Sequence, residues 1–196
     1  FDSKLSVDKT SVIRARAFKP GWLSSDVASL RLYRSKHKPD TAVLQSRLNR
    51  VHTADGAATF FDHQLGSFNA NSPAWANNWG GVRENNLELM LGYKTPRTIT
   101  SVSINSLIET ENVIFPPERI EVWGGASADS LTLIGEATFQ LPTEYRKPYI
   151  ELFTCSTKGM GITVLRIIAV PVKKIPAWHK NKDRPALLLI DEILVN

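Results

Sequence analysis

Short alternating runs of β-branched and apolar residues recur along this chain of 196 residues, and turn-forming residues separate them. Alternation with a period of two residues is typical of strands that bury one face. We find no long run with the 3.6-residue period of an amphipathic helix. The pattern predicts an all-β fold, an antiparallel β-sandwich. The predicted strands are residues 11–18, 27–34, 88–91, 98–107, 119–123, 131–139, 148–154, 162–172 and 187–195.

A polar stretch at residues 35–40, which contains Pro39, predicts a linker between two segments. The charge balance also changes along the chain. Residues 1–50 carry 11 Lys and Arg against 4 Asp and Glu, whereas residues 51–196 carry 13 against 15. We therefore expect a short β segment at residues 1–37 and a main domain at residues 41–196. Two or three strands cannot close a sandwich alone, so the short segment either packs on the main domain or has partner strands upstream.

The composition of the chain limits the kinds of molecule that it is expected to bind. Arg14 and Arg16 alternate with apolar residues, which indicates a basic outer face of a sheet, and no nucleic-acid-binding motif accompanies them. We therefore expect no nucleic-acid partner. No apolar run approaches the roughly 18 residues that a membrane span needs, so no membrane insertion is expected. The single cysteine, Cys155, forms no internal disulfide and is predicted to be a buried thiol.

The longest irregular stretch is residues 60–84, in which four asparagines surround Trp75 and Trp79. Asn, Gly, Ser and Pro at this density predict turns rather than a strand or a helix. A long loop that carries large aromatic residues is more often functional than disordered. The sequence therefore predicts a binding loop held by a rigid scaffold.

No catalytic set emerges from the sequence. Glycoside hydrolysis needs two carboxylates that face one cleft. Asp191 and Glu192 are adjacent in a predicted strand and are expected to point to opposite faces. Glu109 and Glu111 lie in a polar loop, where solvated carboxylates are the default. We therefore expect that this chain is not itself an enzyme.

A set of short motifs occurs in order along the main domain: Gly56-Ala57, Phe61-Asp62, Gly66-Ser67, Trp79, Ile114-Phe115-Pro116, Trp178-His179 and Asp191-Glu192-Ile193. Their order resembles that of discoidin-type, galactose-binding-like sandwiches, which have a jelly-roll-like arrangement. The similarity is closer to the C-terminal region of Bacteroides chitobiase-like or β-hexosaminidase-like proteins, and residues 11–34 resemble the end of a fibronectin-like module.

This resemblance implies a non-catalytic, carbohydrate-binding module. The module would be monomeric within a larger, exported, glycan-degrading protein that is periplasmic, at the cell surface or extracellular. It would anchor that protein, whose catalytic domain lies elsewhere, to a glycan. Two other interpretations remain open: a structural or protein-interaction domain, and part of a glycoside hydrolase whose active site lies outside this chain.

The resemblance also implies a structural calcium site formed by Asp62, Ser67 and Glu192. Gln64 replaces the second acidic position of the family pattern, and His63 replaces a glycine. The alternative is that Asp62 and Ser67 cap a turn while Glu192 pairs with a basic residue.

Two aromatic clusters are the candidates for carbohydrate binding, because rings contact pyranose faces and planar polar groups recognise hydroxyls. Either cluster could instead close the end of the core through Trp79 or Trp178. The first cluster is Trp75, Trp79, Arg83 and Glu84, and the second is Trp178 and His179.

Overall fold

A computed structural model describes residues 9–69 and 71–196, which form two compact units. The first unit ends at Lys36 and the second spans His37–Asn196. In the first unit, β1 (Ser11–Ala15) pairs with β2 (Ala28–Leu32) as an antiparallel two-stranded sheet, with Ser11 opposite Leu32. Both strands lie within the predicted runs at residues 11–18 and 27–34.

The second unit consists of seven strands joined mainly by loops and single helical turns. One short helix, α1 (Pro73–Asn77), and three 3₁₀ turns (Gly56–Phe61, Thr110–Asn112 and Ala128–Ser130) interrupt the strands. The strands are β3 (Thr41–Leu44), β4 (Gly80–Val82), β5 (Leu87–Ile108), β6 (Pro117–Gly125), β7 (Thr132–Thr138), β8 (Tyr149–Pro171) and β9 (Leu188–Val195).

Two long strands, β5 and β8, pair with each other along nearly their whole length and belong to both layers of the sandwich. At one end of this ribbon, residues 87–92 of β5 pair with β3, and residues 164–171 of β8 pair with β6. At the other end, residues 102–107 of β5 pair with β9, which also pairs with β4. All these named pairings are antiparallel. The layers are therefore β3-β5-β8-β6-β7 and β4-β9-β5-β8.

A single hydrophobic core joins the two layers. Leu89 and Leu91 from one end of β5 share this core with Ile104 from the other end, and with Ile120 of β6 and Ile193 of β9. Since both ends of the ribbon contribute to one core, the ribbon folds back on itself. The predicted all-β, antiparallel β-sandwich is confirmed, and Cys155 is fully buried within it, as the sequence predicts.

The length of β5 differs from the prediction. Residues 92–96 were expected to turn between two strands, but β5 continues through them. Pro96 cannot donate a backbone hydrogen bond, and it lies in the interval between Gly92 and Arg97 where the pairing with β8 shifts register. The runs at 148–154 and 162–172 likewise belong to one strand, β8. Turn-forming residues can therefore mark a register shift within one continuous strand as well as a reversal of the chain, and the sequence pattern is the same in both cases.

The prediction that residues 60–84 contain neither strand nor helix is wrong, since α1 and β4 lie within them. Glycines are poor strand formers, so the sequence pattern gives no strand signal at Gly80 and Gly81 of β4. Packing explains the glycine at position 80, because an added Cβ there would lie 2.5 Å from the Phe60 ring. Strand β3, which the sequence analysis did not identify, pairs with the edge of β5.

No helix in residues 9–69 and 71–196 is long and apolar enough to cross a membrane.

Gly135 in β7 approaches the backbone of β8 closely, which makes the packing of these strands testable. A Cβ at this position would lie 2.5 Å from the Ser156 carbonyl oxygen, a backbone atom that cannot rotate away. We expect Gly135→Ala to lower the free energy of unfolding by about 1–3 kcal/mol because the strands must separate. Urea denaturation measures this, and Thr138→Ala at an exposed position of the same strand is the control. Equal stability of the two variants would contradict the close approach.

Candidate functional site

Two carboxylates of the last strand hold residues 61–68, which we call the clamp loop, against the sandwich. Asp191 accepts a hydrogen bond of 2.7 Å from the backbone N–H of Gly66 and one of 2.8 Å from the side chain of Asn105. Glu192 accepts a hydrogen bond from the backbone N–H of His63. Both carboxylates are buried, so these bonds replace the water that burial removes.

A β-bulge explains how two adjacent residues reach the same loop. In the pairing of β5 with β9, Asn105 lies opposite Glu192 and Ser106 lies opposite Ile190. Asp191 is therefore the extra residue of the bulge, and the strict alternation of side chains fails at this point. The expectation that Asp191 and Glu192 serve opposite faces is corrected, since both carboxylates bind the clamp loop.

Burial and crowding also shift the titration of these groups. Burial is the main cause that raises the pKa of Asp191 to about 6, although its hydrogen bonds from Gly66 and Asn105 oppose the shift. Burial likewise raises the pKa of Glu192 to about 8, and the neighbouring carboxyl of Asp62 adds to that increase. The two carboxyl groups are close enough for protonated Glu192 to donate its O–H to Asp62.

The structure thus brings together two of the three predicted calcium ligands, Asp62 and Glu192. Asp62 also accepts a hydrogen bond of 2.7 Å from the backbone N–H of Gln64, which matches the predicted alternative of a capped turn. The hydroxyl of Ser67 accepts a hydrogen bond of 3.0 Å from the N–H of Asn69, so it caps its own turn. Among the described residues no group of three or more His, Cys, Asp and Glu is arranged for a metal. A calcium ion here would need backbone and hydroxyl oxygens besides the two carboxylates.

Trp79 lies beneath the clamp loop and is fully buried. Its indole N–H donates a hydrogen bond of 3.1 Å to the Ser67 carbonyl, and its ring packs on Gly66. It belongs to a small cluster with Leu107, Leu189 and two other apolar residues. A ring in this position supports the loop and offers no face to a sugar, so burial does not support the predicted direct contact.

Trp75 lies in α1 and is half-buried against the Trp79 cluster. The edge of one ring meets the face of the other between Trp75 and His52, with their centroids 6.2 Å apart. Burial, together with the positive charge of Arg83, lowers the pKa of His52, which favours the neutral ring beside the indole. Trp75 therefore fixes α1 to the sandwich while keeping part of its surface exposed.

Arg83 and Glu84 follow β4 and turn toward the residues that precede β9. The guanidinium of Arg83 donates a hydrogen bond of 3.4 Å to the Pro185 carbonyl. Glu84 is exposed, and its backbone carbonyl accepts a hydrogen bond of 2.7 Å from Lys173. These contacts connect the segment after β4 to the segment between β8 and β9.

Trp178 and His179 form a separate aromatic cluster with Tyr145 and Phe115. His179 is buried, and its Nδ1 accepts a hydrogen bond of 2.9 Å from the N–H of Asn181. Its Nε2 therefore carries the proton and donates to the Thr110 carbonyl at 2.8 Å. The half-buried Trp178 donates its indole N–H to the Pro142 carbonyl at 2.9 Å. The structure assigns Trp79 and Trp178 to different clusters, and His179 joins loops rather than facing solvent.

Beside the clamp loop lies a polar cavity of about 570 Å³. Its walls come from the residues just before the 3₁₀ turn Gly56–Phe61, from the clamp loop, and from α1 with the residue that follows it. The polar side chains that line it are Thr53, Asp55, Asp62, Gln64, Asn77 and Asn78. We call this space the polar cavity. Except for Asp62, these residues were not predicted as site residues, although the density of asparagine in residues 69–78 was a signal.

Comparison with known proteins gives similarity only to solved structures, since no protein-family model and no curated protein matches the chain. One similar structure is chitosan-binding module 1 of a chitosanase/glucanase from Paenibacillus sp. IK-5. The match has 9% identity and a TM-score of 0.47, and it covers 84% of this chain and 99% of the module.

Two other solved structures are similar at 10% identity, each with a TM-score of 0.42. A truncated AlyQ with CBM32 and alginate lyase domains matches 81% of this chain and 32% of its own. The F5/8 type C domain of a Bacteroides fragilis protein matches 79% of this chain and 89% of its own. The fold assignment rests on the strand register and the shared core described above.

Removal of the Asp191 carboxylate tests whether its contact with the clamp loop stabilises the fold. Asp191→Ala leaves the N–H of Gly66 and the amide of Asn105 without their acceptor in a buried place. We expect the free energy of unfolding to fall by about 2–4 kcal/mol, since each buried unpaired group costs about 1–3 kcal/mol. Chemical denaturation measures the loss, and Asp129→Ala at an exposed turn is the matched control. A loss no larger than that of the control would show that the clamp does not stabilise the fold.

Proposed function

We propose that the unit His37–Asn196 is a non-catalytic carbohydrate-binding module and that the polar cavity is its sugar site. The observation that carries the proposal is the lining of this cavity by hydroxyl, amide and carboxylate side chains. Sugars present closely spaced hydroxyl groups, and such side chains pair with them as both donors and acceptors. A cavity of about 570 Å³ is within the range that small-molecule sites occupy.

The attachment of the clamp loop to β9 supports this proposal, because a binding site gains affinity when its walls are fixed before the ligand binds. Asp191 and Glu192 hold one wall, and Trp75 fixes α1, which supplies Asn77 to the opposite wall. In this proposal Trp75 and Trp79 act as supports, and the sugar contacts the polar residues beside them. Four of those residues, Thr53, Asp55, Gln64 and Asn77, are exposed and free to meet a ligand.

A second candidate function follows from the presence of two carboxylates in the cavity. Asp55 and Asp62 both line it, and a pair of carboxylates in one cleft is what glycoside hydrolysis requires. Asp62 is already engaged by the Gln64 N–H and by Glu192, which favours a structural role. We therefore propose binding without hydrolysis, and release of reducing ends from an oligosaccharide bound by this chain would favour the enzyme.

Titration with neutral oligosaccharides tests the sugar site. We expect millimolar binding by calorimetry or by nuclear magnetic resonance. Gln64→Ala and Asn77→Ala should each weaken it about five-fold or more, because each removes a group that pairs with hydroxyls. Gln140→Ala, at an exposed position that does not line the cavity, is the control. Absence of binding by the folded protein to every glycan tested, neutral and acidic, would reject the proposal.

The wider setting is also part of the proposal. By its resemblance to the C-terminal regions of chitobiase-like proteins, the chain would belong to an exported, glycan-degrading protein. A weak single site would then act by raising the effective concentration of that protein at a glycan. If the cavity binds no sugar, the alternative is a structural or protein-interaction domain.

We further propose that a calcium ion binds between Asp62 and Glu192, with Ser67 and backbone oxygens of the clamp loop nearby. The support is the contact between two carboxyl groups at a place where Glu192 otherwise keeps a proton. A divalent cation would replace that proton and neutralise both groups. Its contribution would be to hold the clamp loop on β9.

Thermal unfolding in calcium and in chelator tests this cation site. At saturating calcium we expect the Tm to rise by about 5–10 °C, from the linkage of binding to folding. Glu192→Gln retains an acceptor for the His63 N–H but removes the charge, so it should abolish the rise. Glu151→Gln at an exposed position should keep the rise. Identical Tm values of the wild type in calcium and in chelator would reject the site.

A further inference from the structure

A second cavity of about 490 Å³ adjoins the polar cavity, and the two share Thr53 and Ala54 in their walls. We call it the basic cavity because Arg47 and Arg50 line it. Ser46 and Leu48 belong to the same wall. The two cavities therefore adjoin at Thr53 and Ala54, and the chemistry of the lining differs between them. We call the pair of adjoining cavities the cleft.

The two arginines of the basic cavity are exposed and have no acidic partner. Neither guanidinium lies within 4.0 Å of a carboxylate in the described part of the chain. The chain carries no Asp or Glu between Thr41 and Ala54, so no neighbour in sequence neutralises them. Two free guanidinium groups on one wall are suited to an oxyanion, which they bind through paired N–H groups.

The backbone beneath these arginines is fixed. The N–H of Asn49 donates to the Gly81 carbonyl at 2.7 Å, and the Arg47 carbonyl accepts a hydrogen bond of 3.0 Å from the Asn85 side chain. The shared wall is a tight turn in which Ala54 has a φ of 37°. A left-handed conformation is unfavourable for alanine, and such positions occur often at ligand sites. These contacts fix the backbone on which the arginines and the shared residues lie.

We propose that the cleft binds an oligosaccharide in which an acidic sugar adjoins a neutral one. The inference rests on the proposed carbohydrate function and specifies its ligand class. The carboxylate or sulfate of the acidic sugar lies between Arg47 and Arg50, and the apolar side chain of Leu48 contacts its ring. The neutral sugar occupies the polar cavity, where Asp55, Gln64 and Asn77 pair with its hydroxyls.

The opposite charges of the two cavities give this proposal its specificity. The exposed carboxylate of Asp55 repels a second acidic sugar, so a glycan that is acidic at every residue fits less well than an alternating one. A wholly neutral glycan leaves the two arginines without a partner. The best ligand therefore alternates acidic and neutral residues.

Calorimetry at 50 mM NaCl with matched tetrasaccharides tests whether an alternating glycan binds more tightly than a wholly acidic or a wholly neutral one. The probes are a hyaluronan tetrasaccharide, which alternates, tetragalacturonate, which is acidic throughout, and N-acetylchitotetraose, which is neutral. We expect the hyaluronan fragment to bind at least five-fold more tightly than either of the others. A keratan sulfate tetrasaccharide sulfated only on N-acetylglucosamine alternates sulfated and neutral residues and has no carboxylate, so it distinguishes a preference for sulfate from one for carboxylate. At 500 mM NaCl the advantage of the alternating fragment should shrink, because salt screens exposed charges.

Arg47→Gln and Arg50→Gln should each reduce binding of the hyaluronan fragment several-fold and reduce binding of the neutral tetrasaccharide by a smaller factor. Arg14→Gln, an identical loss of charge at an exposed position of the first unit, should change neither. Equal binding of the neutral and alternating fragments would overturn this inference and leave the proposed function standing. Absence of binding for every tetrasaccharide would overturn both.

Discussion

The buried contact between β9 and the clamp loop is the interaction on which the candidate site depends. Asp191 and Glu192 lose their water when β9 enters the sheet, and the backbone N–H groups of Gly66 and His63 replace it. The same contact covers Trp79 and sets the position of Asp62, which reaches the polar cavity. The position of the clamp loop and the shape of the cavity thus depend on one pair of carboxylates at the bulge.

Much of the fold could be predicted because alternation of apolar residues directly encodes half-buried strands. The pattern identified β6, β7 and β9 near their observed positions. It failed where tertiary context decides the backbone. Pro96 is typical of a turn, yet it lies within β5 at a register shift. Glycine is a poor strand former, yet Gly80 lies in β4 because the Phe60 ring leaves no room for a Cβ there.

The site was less predictable because its walls come from segments that are distant in sequence. Asp55, Gln64 and Asn77 are ordinary surface residues until the clamp loop and α1 bring them around one cavity. Periodicity also gave the wrong geometry for Asp191, since no local signal announces a bulge. For Trp79 and His179, residue type alone could not separate a binding surface from a buried support, and only their exposure distinguishes the two.

The topology has a consequence for how the site comes into existence during synthesis. Strand β9 follows every other strand of this unit in sequence, yet it inserts between β4 and β5. Until β9 leaves the ribosome, Trp79 has no cover from Leu189, and the clamp loop has neither carboxylate to bind. Before that point β4 has no strand to pair with and one edge of β5 is unpaired, so the cavity takes shape in the same event that closes the sandwich.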